Sequence, residues 1–199
     1  MSETLVVVSR APAAAVPLTL AKQHLRVDTN DDDALITGYI TAAVGHAERF
    51  MGRTLVDTTY DLVLDAFPKG RDALVLPRPP FIALTSVSVL NSDETETEID
   101  GILVDTAGGR LIAPSSGWPT GTTKSSIRVR YRAGYLTYDA EASPPATSGE
   151  IPGDIVAALL LYIGSLYQQR EDSAPTAMTE IPWNANQLLR MHRVERGMA

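Results

Sequence analysis

The chain has no cysteine, three histidines and only 6% aromatic residues. Without cysteine there is no disulfide framework, no thiolate zinc site and no cysteine nucleophile. The histidines are His24, His46 and His192. No two of them are three or four residues apart, so no helical His pair is available to a metal ion. Long apolar runs are also missing. The most apolar stretch, Ile155 to Gly164, is about half the length of a membrane span. The N-terminus has Glu3 where a signal peptide needs positive charge, and its apolar run covers only Leu5 to Val8. These features predict a soluble protein of a reducing compartment, with no membrane partner.

Positive charge is in deficit. Seventeen Lys and Arg face 24 Asp and Glu, a formal net charge of −7. Affinity for phosphate comes mostly from Lys and Arg, so general nucleic-acid binding is disfavoured. An acidic wall would instead repel a polyanion and let it slide past. Catalytic signatures are lacking too. There is no Gly-x-Ser-x-Gly elbow. "TGTTKSS" (120–126) lacks the glycines of a phosphate loop and reads as a polar turn. The sequence offers no case for an enzyme and none for a cofactor.

What is present is pattern. A chain of 199 residues suits one core with a sizeable insertion. The first part reads as helical, with a short helix over Leu20 to Arg26. A longer helix runs from Asp31 to Met51, its apolar residues at Leu35, Ile36, Tyr39, Ile40, Ala43, Val44, Ala47, Phe50 and Met51. Gly52 is a natural stop. "TTYDLVLD" then alternates with Tyr60, Leu62 and Leu64 on one face, and "TSVSVL" with Val87 and Val89. "ALVLPRPPF" is a short strand ended by prolines. "NSDETETEID" reads as an acidic loop, and "GILVD" and "GGRLIAP" as strands around a Gly-Gly turn. "SSIRVRYRAGY" places Ile127, Val129 and Tyr131 on one face and Arg128, Arg130 and Arg132 on the other. A Pro/Ser/Ala loop precedes a long helix from Asp154 to about Glu171, apolar nearly all round. A linker and an amphipathic segment with Trp183, Leu188, Leu189 and Met191 close the chain.

The expected fold is therefore α+β: a helical body of a few helices interrupted by a small antiparallel β insertion. The expected organisation is 1–57 as the N-terminal helical part, 58–140 as the β insertion, 141–173 as the long helix completing the body, and 174–199 as linker and terminal segment.

Two clusters need a local explanation. Asn30-Asp31-Asp32-Asp33 fails as an EF-hand, whose sixth position must be Gly and is Asp33, and whose twelfth must be Glu and is Tyr39. As a helix start it works: Asn30 caps, and the acids sit where the helix dipole favours them by about 0.3–1 kcal/mol each. The Arg128/Arg130/Arg132 stripe reads as a solvated strand face. The alternative is pairing with Glu94, Glu96 and Glu98 of a neighbouring subunit.

The same stretches resemble the head–tail connector, or adaptor, proteins of tailed phages and gene transfer agents. "LTLAKQHLRVDTNDDDALITGYITAAVGHAERFMGR" resembles the family's N-terminal hallmark. "LPRPPF" followed by "TSVSVL" resembles its Leu-Pro-x-x-Pro strand junction. "VRYRAGY" and "IPGDIVAALLLYIGSLYQQRE" are similar to its Tyr-x-Ala-Gly-Tyr strand end and closing helix. The resemblance implies a homo-oligomeric ring, expected to be dodecameric, assembled in the bacterial cytoplasm and located in the neck of a virion or phage-like particle. Its implied partners are the portal protein above, the stopper or neck protein below, and DNA passing through without specific binding.

Within that frame, Trp183, Leu188, Leu189, Arg190, Met191 and Arg193 are the expected portal-docking residues. The expected subunit interface is Tyr162, Tyr167, Arg170, Arg128, Arg130 and Arg132. Two rival readings remain. One is a soluble ligand- or carbohydrate-binding protein using Trp118 and the β loops. The other is a carboxylate hydrolase, which needs two acids at a defined separation across one cleft.

Overall fold

The computed structural model describes residues 3–91, 95–119, 126–168 and 183–194. It contains ten strands and four helices among the described residues, in two compact units. One unit comprises residues 1–13 and 56–148, the other 14–55 and 149–199.

The first unit is all β. Its main sheet has β1 (Glu3–Arg10), β2 (Thr58–Leu64), β4 (Phe81–Leu90), β5 (Glu96–Glu98) and β8 (Ile127–Ala133), in the order β1-β2-β8-β4-β5. All of its ladders are antiparallel. A second sheet, β3-β7-β6, is made of β3 (Leu74–Val75), β6 (Leu103–Asp105) and β7 (Arg110–Ile112). A third pairs β9 (Leu136–Asp139) with β10 (Ala146–Gly149). The alternation read from the sequence sets which face is buried. Tyr60, Leu62 and Leu64 of β2 and Ile127, Val129 and Tyr131 of β8 share one core with Val87, Leu111 and Trp118. In register, Tyr60 lies opposite Tyr131 and Leu62 opposite Val129. The Tyr131 hydroxyl donates to the Pro77 carbonyl at 2.7 Å, and burial pushes its pKa well above the ordinary phenol value.

The second unit is helical: α1 (Leu18–Leu25), α2 (Asp33–Met51), α3 (Gly153–Gln168) and α4 (Trp183–Arg190). The apolar stripe of α2 buries Ile36, Ile40, Ala43, Val44, Ala47 and Met51. Ile155, Ala158, Leu159 and Ile163 are the buried residues of α3, and Ala185 and Leu189 of α4 are buried as well. Gly52, at φ +70°, ends α2 in the left-handed conformation that glycine adopts without cost.

This corrects the expected fold class. Among the described residues helix and strand have near-equal shares, 30% and 31%, and the strands form three sheets, so the β part is no small insertion in a helical body. The stretch before α1 is not helical. Glu3–Arg10 is an eight-residue strand at the end of the main sheet. Its run of three valines suits a strand, but its partner, β2, lies about fifty residues further along the chain, and that pairing is invisible to local periodicity. The acidic loop holds β5, which pairs with the end of β4, and the Pro/Ser/Ala loop holds β9 and β10.

Candidate functional site

The acidic corner connects helices. α1 ends with Arg26 in the left-handed region, φ +57°, its N–H and that of Val27 donating to the carbonyls of Gln23 and Lys22. Asp32, and not Asn30, occupies the cap position of α2, and neither side chain caps the helix. The Asn30 Oδ1 accepts from Lys22 Nζ at 2.7 Å. Lys22 also meets Asp33 at 2.6 Å, tying α1 to α2. The Tyr167 hydroxyl donates to Asp32 at 2.6 Å, tying α3 to the same corner. Among the described residues no group of three or more His, Asp or Glu is placed to hold a metal ion. His24 lies against Gly164 of α3, where a β-carbon would come within 3.4 Å of its ring. His46 packs beside Phe50 and Tyr162.

On the main sheet each arginine of β8 has an acid within its own unit. Arg128 reaches Glu96 at 2.6 Å. Arg130 binds both oxygens of Asp61, its cross-strand neighbour, at 2.7 and 2.8 Å. This bidentate contact is the main reason the Asp61 carboxyl titrates below its ordinary value, burial opposing it. Arg132 grips both oxygens of Asp57, and the Tyr138 N–H donates to the same carboxylate at 2.9 Å. Asp57 is buried, and its backbone carbonyl accepts from the Ala11 N–H. These groups line an open cleft with Ser9, Arg10 and Thr59. The stripe is thus paired within the chain. Glu96, one of the three acids considered, pairs with it inside the chain, and Glu94 lies outside the described residues.

Residues 183–194 fold onto their own unit. α4 packs on α3 and α2. His192 Nε2 and Asp154 Oδ2 are 2.6 Å apart. The Arg53 guanidinium donates to the His192 carbonyl at 2.6 Å, and the Val194 N–H to the Met51 carbonyl at 2.8 Å. Arg193 stands over the Phe50 ring, 5.8 Å from its centroid. Of the expected docking residues, Leu189 is buried and Leu188 half-buried, while Arg190, Met191 and Arg193 are exposed. Trp183 opens α4, and its side chain lies outside the described set, as do Arg170, residues 120–125 and the linker. The expected interface residues Tyr162 and Tyr167 are half-buried, each with a partner inside the unit. Trp118, the aromatic offered by the ligand-binding reading, is only 6% exposed. It stacks on Phe67 at 4.7 Å and donates to the Asp72 carbonyl, so its faces are not free for a sugar.

Sequence reading missed Asp57, Asp61, Asp154 and Arg53. The one available signal was the in-register opposition of Asp61 and Arg130 on two alternating strands, which requires knowing that β2 pairs with β8. What the arrangement offers is a charge-neutralised sheet face and clamped helices.

Residues 17–100 match the phage gp6-like head–tail connector protein family. The resemblance read from the sequence is borne out by this match and by the solved structures most like the chain. A chain from the neck of an empty gene transfer agent particle with C6 symmetry superimposes with a TM-score of 0.75 at 25% identity, covering 97% of this chain and 96% of that one. A chain from the neck of a native particle with C12 symmetry gives 0.72 at 24%, covering 97% and 96%. One from the virion of a native gene transfer agent gives 0.70 at 24%, covering 96% of each. The last two likenesses show the shared fold. No curated protein matches the sequence.

Proposed function

We propose that the chain is a structural connector in the neck of a phage-like particle, where copies form a ring below the portal and extend the DNA channel toward the stopper. The observation that carries this reading is the end-to-end match to a neck chain of a gene transfer agent particle. The family match over residues 17–100 supports it independently. The two necks were computed with C6 and C12 symmetry, which supports a ring of copies here. The net charge of −7 suits passage of DNA without grip.

The portal-facing surface in this proposal is the exposed side of residues 183–194. Leu189 anchors the segment inward, and Arg190, Met191 and Arg193 present outward, Met191 at 70% exposure. A ring multiplies such small contacts by avidity. Tyr162, Tyr167, Arg170 and the β8 arginines remain proposed subunit-facing residues. Because Arg128, Arg130 and Arg132 are already neutralised, they would meet a neighbour as a polar ladder and not as free charge.

The test is binding of the full chain to purified portal rings, compared with an Arg190→Glu/Met191→Ser variant. Both positions are exposed, so the fold should survive. Binding weakened at least tenfold, with an unchanged melting curve, supports the placement. Equal binding by both proteins rules out this segment as the portal contact.

A further inference from the structure

We propose that the portal contact is an arginine patch built jointly by the end of α2 and the segment 183–194, and that its partner is a carboxylate-rich surface of the portal protein. This rests on the portal reading above, to which it adds α2 and the chemistry of the partner.

The chain is short of cations, 17 against 24 acids. Four of its arginines nevertheless gather around the C-terminal end of α2. Arg49 stands in the last turn of that helix, and Arg53 follows its Gly52 stop. The residues after α4 run alongside. The Val194 N–H donates to the Met51 carbonyl at 2.8 Å, and the Arg53 guanidinium to the His192 carbonyl at 2.6 Å. Arg53 is thus a positioning residue that holds the segment against α2. Arg193 is thereby set over the Phe50 ring, and its N–H donates to the carbonyl of Arg190, the last residue of α4.

Arg49, Arg190 and Arg193 are exposed, and none has an acid partner among the described residues. The acids beside them are engaged. Glu48 is buried and accepts from the Leu55 N–H at 2.8 Å, and Asp154 meets His192. The contrast is with β8, where each arginine has its own carboxylate. Helix dipoles favour cations in the last turns of α2 and α4. They do not call for Arg193, which lies three residues past α4.

Guanidinium groups match carboxylates and phosphates alike. Two features favour carboxylates here. The chain carries a net charge of −7 and repels a polyanion such as DNA. The same segment also presents Met191, 70% exposed, and Arg193 rests on an aromatic ring. Arginine with methionine and aromatics is the composition enriched at protein interfaces.

The test is binding of the full chain to purified portal rings across a salt series. The unmodified chain is compared with Arg49→Gln, Arg49→Lys and the control Arg26→Gln. Arg49 lies outside the segment 183–194, and both of its substitutes are good helix formers. Arg26 is an exposed arginine that ends α1, in the corner leading into the opposite end of α2. Arg49→Gln is expected to weaken binding by roughly fivefold or more at low salt and to flatten the salt dependence, with an unchanged melting curve. Arg49→Lys should recover most of the affinity, and Arg26→Gln should bind as the unmodified chain does. Equal binding by Arg49→Gln and the unmodified chain overturns the inference. A loss with Arg190→Glu/Met191→Ser in the same assay would then leave the portal reading standing. If the unmodified chain does not bind portal rings, that reading fails, and the inference with it. Duplex DNA is tried in place of the rings. Binding to DNA that needs Arg49, with portal binding unaffected, assigns the patch to phosphate and also overturns the inference. Should Arg49→Gln melt early, Arg49→Cys decides. The protein has no native cysteine, so this thiol can be given an aminoethyl or a sulfonatoethyl group. Tighter portal binding by the cationic form is expected, and equal binding by the two forms overturns the inference.

Discussion

The His192 imidazole and the Asp154 carboxylate meet at 2.6 Å, joining the residues after α4 to the first turn of α3. The hydrogen bond from His192 is the main cause of a lowered Asp154 pKa, with burial opposing and electrostatic attraction to the ring adding. A carboxyl whose folded pKa is depressed stabilises the fold fully above its unfolded pKa, and that contribution is lost as pH falls through the folded value. Stability of the helical unit should therefore decline in the acid range below about pH 4, the ordinary Asp region. His192→Ala should return the Asp154 carboxyl toward its ordinary value, read by carboxyl NMR titration. Amide exchange across 183–194 should quicken at the same time. An Asp154 titration that does not move would show that the contact carries no energy.

Arg130 and Asp61 make a second separable prediction. The pair is intermediate in exposure, with side chains 37% and 13% accessible. Removing one partner should cost more than the ~0–1 kcal/mol of a surface pair and less than the ~3–5 kcal/mol of a buried one, about 1–2 kcal/mol. Arg130→Ala should lower the denaturation midpoint by that amount at neutral pH. Since Asp61 also titrates low, the difference between variant and wild type should shrink as pH falls through the folded pKa of Asp61. A difference constant from pH 7 to pH 2 would assign the loss to packing by the arginine stem.

Gly134 explains a piece of sequence that was legible only as resemblance, the Arg-Ala-Gly-Tyr end of β8. Its φ is +149°, and a β-carbon there would sit 2.8 Å from the backbone of both Val56 and Asp57. Its N–H donates to the Pro80 carbonyl at 2.9 Å. Backbone, unlike a flexible side chain, cannot step aside. Gly134→Ala should cost about 1–3 kcal/mol in a denaturant titration. A neutral substitution would mean that β8 and the Val56–Asp57 segment can separate without penalty.

Local chemistry made part of this protein readable. The 3.6-residue stripe of α2, the alternation of β2 and β8 and the glycine stop at Gly52 follow from neighbours within a few residues. The sequence therefore determined these elements and their buried faces, and the family's motifs with them. Tertiary structure decided what depends on distant partners. The N-terminal valines became a strand because β2 receives them, and the β8 arginines became neutral because Glu96, Asp61 and Asp57 fold beside them. The segment ending at Val194 lies on the helical unit because Asp154, Arg53 and Met51 hold it there. Pairings of this kind are set by long-range register and the closure of a whole core, and no local window of sequence contains that information.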